Sequence, residues 1–247
     1  MVDRWVMNHQ RDSWRKQAKA SGYRARSAFK LKQIQDRHKV IEHEDSVLDV
    51  GCHPGGWAQV AVELVGKKGK VVGVDLKSCE PVEGANLIVG DITDPFAQQI
   101  VLDAIDTQVI DVVISDISPH ITGKWDIDQA VSLMLVADVF DFSLPILKYG
   151  GHFVTKLFQG VGVEEMIELV RPHFQTVKRF SPMASRNSSS EVYLVCKYHM
   201  PKKGPDWLIR PAFELALESR KGGPDPLDDV EPVTPTFSVR KKSTPDE

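Results

Sequence analysis

The sequence is poor in cysteine, which limits both its redox chemistry and its capacity to bind metals. Three cysteines occur among 247 residues, Cys52, Cys79 and Cys196, and no two of them form a C-x-x-C pair. Three widely spaced cysteines match neither a disulfide framework nor a common zinc pattern. We therefore expect no metal centre, and we expect a chain that works in a reducing, cytoplasmic compartment.

Long apolar runs are also missing from the sequence. No segment approaches the roughly 18 consecutive apolar residues of a membrane helix, and residues 1–20 contain no apolar stretch typical of an export signal. We therefore expect neither a membrane span nor a membrane partner. The balance of 42% apolar and 26% charged residues is typical of a globular chain that buries one large core.

Positive charge is concentrated near the N-terminus, although the net charge of the chain is −3. Residues 1–40 contain eleven Lys and Arg against three Asp, a balance of +8 that leaves −11 for the other 207 residues. Trp5, Trp14, Tyr23 and Phe29 lie between these cations. Cations that contact phosphates and rings that stack on bases are typical of nucleic-acid binding, whereas a solvated basic tail is the alternative. We predict a nucleic-acid-contacting segment with a helix.

Apolar strands alternate with helical patterns from residue 46 onward. The patterns predict strands over 46–51, 70–75, 85–91, 110–116, 151–157, 176–182 and 191–199, and helices over 56–66, 95–105, 126–148 and 163–174. The last two strands have no room for a helix between them, so they must run antiparallel. The alternation predicts an α/β fold, a doubly wound and mostly parallel seven-stranded sheet with an antiparallel strand near its edge.

Four segments follow from these patterns. Residues 1–40 are the basic segment and residues 41–200 the predicted catalytic domain. Residues 201–222 form an extension with a helical stretch. Residues 223–247 are rich in Pro, Asp and Thr, a composition that predicts disorder.

A glycine-rich loop, "LDVGCHPGGW", follows the first predicted strand. Gly51 and Gly55 let the backbone approach a ligand closely. Dinucleotide-binding loops use G-x-G-x-x-G to place a pyrophosphate on a helix N-terminus, whereas this loop is G-x-x-P-G-G. Pro54 stiffens the loop and Trp57 offers a ring, which fits a cofactor that lacks a pyrophosphate.

Two acidic residues end the next two predicted strands. Asp75 closes "VVGVD", where a carboxylate can accept hydrogen bonds from ribose hydroxyls, and Asp91 in "VGD" can face an adenine amino group. Turn or capping roles are the alternative for both residues. Together with the glycine loop, they predict an adenine nucleoside ligand with a small charged tail, such as S-adenosylmethionine.

Six motifs occur in order along the chain: "SGYRARSAFKLKQI", "LDVGCHPGGW", "VVGVD", "ISDISP", "VTKLFQG" and "SRNSSSEVYLV". Over roughly residues 20–199 the chain thereby resembles the FtsJ/RrmJ family of S-adenosylmethionine-dependent ribosomal RNA ribose 2′-O-methyltransferases. The resemblance implies a Rossmann-like methyltransferase fold with a reversed last strand. It also implies S-adenosylmethionine as cofactor, bound through Gly51, Gly55, Trp57, Asp75, Asp91 and Asp116.

The resemblance further implies a catalytic tetrad of Lys30, Asp116, Lys156 and Glu191. Lys156 is then the general base for the ribose 2′-hydroxyl. An ordinary lysine, with a pKa of about 10.4, is mostly protonated at neutral pH. Neighbouring carboxylates favour that protonated form, so we expect Asp116 and Glu191 to orient Lys156 and to stabilise the cation that forms.

Each of these residues also has a structural alternative. Lys156 could be a strand-end lysine with its charge in solvent, Lys30 could contact a phosphate, and Glu191 could cap or pair at a strand start. Cys52 and His53 stand where the family commonly has small residues. We expect Cys52 to be packed and His53 to be exposed near the cofactor, rather than a metal bound with Cys79.

The predicted substrate, by resemblance, is a uridine ribose in large-subunit ribosomal RNA, methylated by a monomeric enzyme. Transfer RNA and an mRNA cap are alternatives within the same chemistry. A small-molecule or base methyltransferase on the same sheet is a further alternative. The last alternative is a catalytically silent RNA-binding or ribosome-assembly protein that keeps the fold.

Overall fold

The computed structural model describes residues 13–106, 109–185 and 191–221. The predictions made for Trp5, for the loop residues 186–190 and for the tail 223–247 lie outside the described residues. The division of the chain into the four segments given above stays a prediction.

Strands and helices alternate as the sequence patterns predict. The strands are β1 Ser46–Val50, β2 Lys70–Asp75, β3 Ala85–Val89, β4 Ile110–Ser115, β5 Leu147–Phe158, β6 Phe174–Phe180 and β7 Glu191–His199. The described part of helix α1 covers residues 13–20. The later helices are α2 Ala28–His38, α3 Gly56–Val65, α4 Pro95–Ile105, α5 Trp125–Ser143, α6 Val163–Val170 and α7 Ile209–Lys221.

The strands form one seven-stranded sheet in the order β3-β2-β1-β4-β5-β7-β6. The pairs from β3 to β5 are parallel, and β7 is antiparallel to both β5 and β6. The predicted mostly parallel sheet with a reversed last strand is therefore confirmed. Because β7 runs against β5, Glu191 at its start pairs with Phe158 at the end of β5. Residues from both strands thus reach the edge where β1, β2 and β4 also end.

Two predicted helices end earlier than expected, and proline is the reason in both. The helix predicted over 126–148 ends at Ser143, and β5 already begins at Leu147. Pro145 lacks an amide hydrogen and disfavours helical backbone before it. The helix predicted over 163–174 ends at Val170, and a short 3-10 turn that contains Pro172 leads into β6.

Helices cover both faces of the sheet, as the doubly wound prediction requires. Leu48 and Val50 in β1 point to a core that also includes side chains of α4, α5, α6 and α7. Val47, one position before Leu48, points to the opposite face and a second core with α2 and α3. Strands buried on both faces are apolar at successive positions, which explains their continuous apolar sequences. Among the described residues, no helix is both long enough and apolar enough to cross a membrane.

Helix α7, in the extension after residue 200, packs against α5 and α6. Phe213 is 0% exposed and belongs to the core on that side of the sheet. The first turn is held by Asp141 of α5, whose carboxylate accepts hydrogen bonds from the amides of Ile209 at 2.6 Å and Arg210 at 3.0 Å. Arg210 also forms an ion pair with Asp138 at 2.6 Å. The extension is therefore part of the same packed body as the sheet.

Phe213 and Leu215 provide a test of this packing, because they lie in one helix with opposite exposure. We expect Phe213→Ala to lower the free energy of unfolding by about 3–5 kcal/mol, since it removes a fully buried ring. Leu215 is 67% exposed, so Leu215→Ala should change the same quantity by less than about 0.5 kcal/mol. Denaturant unfolding of the full chain measures both. Equal small effects would contradict the packing of α7.

Candidate active site

A cavity of about 360 Å³ lies at the carboxyl ends of β1, β2 and β4. Ligands in open parallel sheets bind at this edge, outside the ends of the strands. Gly51, Asp75, Asp91 and Asp116 all line the cavity, although they are far apart in the sequence. The structure therefore brings together four of the six residues that the resemblance assigns to the cofactor.

Gly51 occupies a position that only glycine fits well. Its φ is +83°, in the left-handed region, and a Cβ atom there would lie 2.7 Å from the Cα atom of Ile117. The chain after β1 thus passes in close contact with the chain after β4. This close approach forms part of the cavity wall.

Gly55 and Trp57 do not line the cavity. Gly55 is the N-cap of α3, with a φ of +104°, and its missing Cβ leaves room for the Arg24 guanidinium. Trp57 is buried, and its indole Nε1 donates a hydrogen bond to the Ser27 carbonyl oxygen at 2.8 Å. Its ring centroid lies 5.6 Å from that of Tyr193. In this structure Trp57 is a packing residue rather than a ring offered to a ligand.

Asp75 and Asp91 serve as turn residues and also face the cavity. The Asp75 carboxylate accepts hydrogen bonds from the amides of His53 at 3.0 Å and Lys77 at 2.8 Å. One Asp91 oxygen accepts from the Thr93 amide at 2.9 Å and from its hydroxyl at 2.7 Å. A carboxylate offers about four lone-pair sites, so each aspartate can accept hydrogen bonds from a ligand in addition to those it accepts within its turn.

The four residues of the implied tetrad form two ion pairs. Lys156 Nζ lies 3.3 Å from Asp116 Oδ1 and donates a hydrogen bond to the Asp116 carbonyl oxygen at 2.8 Å. Lys30 Nζ lies 2.8 Å from Glu191 Oε2. Tyr193 joins the pairs, because its hydroxyl donates to Asp116 Oδ1 at 2.7 Å and accepts from Lys30 Nζ at 3.1 Å. These five side chains form one continuous polar network, and Asp116, which lines the cavity, connects the network to it.

The sheet topology explains why these residues meet. Asp116 directly follows β4, and β5 pairs with β4 on one side and with β7 on the other. Lys156 in β5 is the direct cross-strand partner of Tyr193 in β7, so the two side chains lie on the same face. Lys30 reaches them from α2. Lys156 is 5% exposed and Lys30 is 6% exposed, a degree of burial that a lysine tolerates only with a partner.

This site belongs to a chain with clear similarity to known proteins. The model of the FtsJ-like methyltransferase family matches residues 23–199. The chain belongs to the FtsJ-like methyltransferase family. The resemblance inferred from the six motifs is thereby confirmed, and membership of the family implies a methyl donor.

Individual relatives support the same assignment. Ribosomal RNA large subunit methyltransferase E of Methanocaldococcus jannaschii is 43% identical over 204 residues, which cover 81% of this chain and 83% of the relative. The protein of the same name from Marinobacter nauticus is 42% identical over 195 residues, which cover 79% of this chain and 94% of the relative. A crystal structure described as a ribosomal RNA methyltransferase of Plasmodium falciparum has 26% identity and a TM-score of 0.67, covering 73% of this chain and 100% of that chain.

Electrostatics keep the central carboxyl of this methyltransferase charged. Burial alone raises the pKa of Asp116, but the charges of Lys156 and Lys30 and the hydrogen bond from Tyr193 outweigh it, so that the pKa is lowered. Burial, together with the Asp116 carboxylate, raises the pKa of Tyr193 well above its ordinary value. The Tyr193 hydroxyl therefore keeps its proton and donates a hydrogen bond to the Asp116 carboxylate.

Sequence reasoning missed two polar residues of this site. Tyr193 lies two positions after Glu191 in β7, so the period of a strand places both side chains on one face, and this signal could have identified it. Asp49 lies in β1 beneath the glycine loop and is 0% exposed. Burial, and then the charges of Asp116 and Asp75, raise its pKa well above the ordinary range. The sequence shows that Asp49 precedes the glycine loop in "LDVG". It does not show that Asp49 is fully buried, because this burial depends on how the sheet packs.

The unusual Cys52 and His53 take the places expected of them. Cys52 is buried, with its Sγ atom 3.8 Å from that of Cys79, and burial raises the pKa of its thiol. His53 is exposed, lines the cavity, and has its Nδ1 atom 3.1 Å from the Ser78 carbonyl oxygen. In the described part of the chain, no group of three or more His, Cys, Asp or Glu side chains is arranged to hold a metal ion.

The described part of the basic segment is attached to the glycine loop after β1 and to the loop after β2. The Arg24 guanidinium donates hydrogen bonds to the carbonyl oxygens of Pro54, Glu80 and Pro81. The expectation that Tyr23 and Phe29 stack on bases is wrong, because both rings are buried and lie against each other at 5.7 Å. These aromatic residues hold the segment on the domain instead.

The bridging hydroxyl can be tested by Tyr193→Phe. This variant keeps the ring but leaves Asp116 without one donor and Lys30 without one acceptor. We expect the free energy of unfolding to fall by about 1–3 kcal/mol, the cost of an unmade buried hydrogen bond. Tyr149 is 72% exposed, so Tyr149→Phe is the matched control and should change little. Identical unfolding curves for the two variants in denaturant would show that the bridge contributes nothing.

Proposed function

We propose that this methyltransferase transfers a methyl group from S-adenosylmethionine to a ribose 2′-hydroxyl of RNA. The proposed substrate is a uridine in the RNA of the large ribosomal subunit. One observation carries the proposal: Asp116 both lines the cavity and holds the buried Lys156. A base for the acceptor hydroxyl therefore lies beside the place where a methyl donor fits.

The residues of the cavity fit S-adenosylmethionine. Asp75 has the position of a ribose-binding carboxylate, Asp91 can accept from the adenine amino group, and Asp116 can accept from the methionine ammonium. The missing side chain of Gly51 lets the chain after β1 pass directly against Ile117, and this close approach forms part of the wall of the cavity proposed for the nucleoside. When bound, S-adenosylmethionine would supply an electrophilic methyl group on a positively charged sulfur, and breaking the methyl–sulfur bond would release neutral S-adenosylhomocysteine.

Lys156 is the proposed general base. Its amine, in the neutral form, accepts the proton of the 2′-hydroxyl as that oxygen attacks the methyl group. Asp116, in contact at 3.3 Å, stabilises the ammonium that results. Lys30 and Tyr193 help to keep Asp116 charged and in place, and Glu191 holds Lys30. A positioned base typically accelerates a reaction about 10²–10⁴-fold, and the alignment of the two substrates contributes further.

The choice of substrate is supported by the relatives. Proteins 42–44% identical to this chain carry the name Ribosomal RNA large subunit methyltransferase E. The basic N-terminal segment agrees with an RNA partner, and the 2′-hydroxyl itself distinguishes RNA from DNA. We propose that the enzyme acts as a cytoplasmic monomer on the large subunit or its RNA.

Methyl transfer from labelled S-adenosylmethionine tests the function. The acceptors are large ribosomal subunits, their free RNA, transfer RNA and capped RNA, and the product is digested to nucleosides and identified by mass spectrometry. We expect label in 2′-O-methyluridine from large-subunit RNA. Label on a base contradicts the proposal. Binding of both ligands without any transfer identifies a silent RNA-binding protein, and label in transfer RNA or cap identifies another substrate.

Lys156→Ala should reduce the rate of methyl transfer by about 10²–10⁴-fold, because it removes the base. The affinity for S-adenosylmethionine, measured by calorimetry, should change by no more than about twofold, because Lys156 does not line the cavity. Lys148→Ala is the control, since Lys148 lies in the same strand and is also paired with an aspartate, Asp111. Comparable rates for the two variants would make Lys156 a structural residue.

Gly51→Ala should abolish binding of S-adenosylmethionine, because the new Cβ would lie 2.7 Å from the Ile117 backbone and force the cavity wall to move. Gly150→Ala is the control for backbone strain. Gly150 has a similar φ of +78°, but nothing lies within 4 Å of its missing Cβ. Calorimetry measures cofactor binding by both variants, and thermal unfolding measures their stability. Together they distinguish the steric clash with Ile117 from the backbone strain that both variants share. If the two bind the cofactor equally well, the cavity is not the donor site.

A further inference from the structure

An exposed tryptophan lies close to the proposed base. Trp125 is the first residue of α5, and it is 48% exposed. Its ring centroid lies 5.7 Å from that of Phe158 at an interplanar angle of 72°, an edge-to-face contact. The Phe158 ring in turn lies 5.6 Å from Lys156 Nζ. Two ring contacts therefore connect the exposed indole to the lysine.

The position of Trp125 is fixed by a network that contributes nothing to the cavity. Asp128 is buried, and its carboxylate accepts hydrogen bonds from the Thr122 amide at 2.9 Å, the Thr122 hydroxyl at 2.7 Å and the Gly123 amide at 2.9 Å. These bonds hold the turn that leads into Trp125. Gln129, one turn further along α5, donates to the Val161 carbonyl oxygen at 2.9 Å and so ties the helix to the loop after β5.

An exposed tryptophan ring beside a site is suited to contact a partner, because tryptophan is enriched at interfaces. Its partner must offer a flat face and must place a hydroxyl near Lys156. A nucleobase satisfies the first requirement, and the ribose attached to that base satisfies the second. Tyr23 and Phe29 are buried, whereas Trp125 is an exposed ring in contact with Phe158, whose own ring lies beside Lys156.

We infer that Trp125 is the stacking platform for the base of the nucleotide whose ribose is methylated. The inference rests on the proposed function and makes it more specific. A base that stacks on the indole has left its own helix, so the substrate is an unpaired or extruded nucleotide. Stacking tolerates every base, so Trp125 selects an accessible nucleotide rather than a particular sequence.

The test compares Trp125→Ala with Trp125→Phe and with Ile127→Ala as the matched control. Ile127 lies in the same helix, and it is 51% exposed. The substrate is the RNA found to be methylated, used intact and with the base of the target nucleotide removed. Thermal unfolding shows whether each variant is folded, and calorimetry shows whether it binds S-adenosylmethionine.

We expect Trp125→Ala to lower kcat/KM on intact RNA by roughly 5- to 150-fold, the range for one base–aromatic stack. Trp125→Phe should retain most of the activity, and Ile127→Ala nearly all of it. On RNA without the target base, the wild-type enzyme should lose a similar factor, and Trp125→Ala should lose nothing more.

Two results would overturn the inference while the proposed function stands. In one, Trp125→Ala behaves as Ile127→Ala does on intact RNA. In the other, Trp125→Ala reduces activity on the base-free RNA as strongly as on intact RNA. A wild-type enzyme that methylates no RNA ribose would overturn the proposed function and the inference together.

Discussion

The contact between the Asp116 carboxylate and its three buried partners is the interaction on which the rest of the site depends. Lys156, Tyr193 and, through the tyrosine hydroxyl, Lys30 all converge on one carboxyl group that also faces the cavity. Neither lysine could be buried without such an anion, because an unpaired charge in an apolar interior is costly. The Asp116 carboxylate thus allows Lys156 to be buried near the end of an apolar strand, and it fixes the position of the lysine amine.

The reversed strand β7 makes this convergence possible. A parallel strand beside β5 would end, rather than begin, at the cavity edge, whereas the antiparallel β7 brings its first residues there. Glu191 and Tyr193 therefore enter the site beside Lys156, while β1, β2 and β4 supply the cavity. The cavity and the buried Lys156 thus come from neighbouring parts of the sheet, and Asp116 both lines the cavity and contacts Lys156.

Much of the fold could be predicted from the sequence, because parallel strands buried on both faces are short, continuous apolar runs. The second strand and the α4 helix begin and end where the patterns place them, and the errors lie at Pro145 and Pro172. The four residues of the tetrad were inferred from the family resemblance, because their spacing in the sequence does not by itself identify them. The buried position of Trp57 could not be predicted, because the face that α3 turns inward depends on its packing against α2, a tertiary contact that no local pattern records.

The central claim is that a ribose hydroxyl beside Lys156 is the methyl acceptor. It is tested most directly with an RNA in which the modified nucleotide alone carries 2′-deoxyribose. The account predicts that transfer to this RNA is lost, while the same RNA with deoxyribose at the neighbouring nucleotide is still methylated. Undiminished transfer to the nucleotide that lacks the 2′-hydroxyl would contradict the account, because Lys156 would then have no acceptor proton to remove.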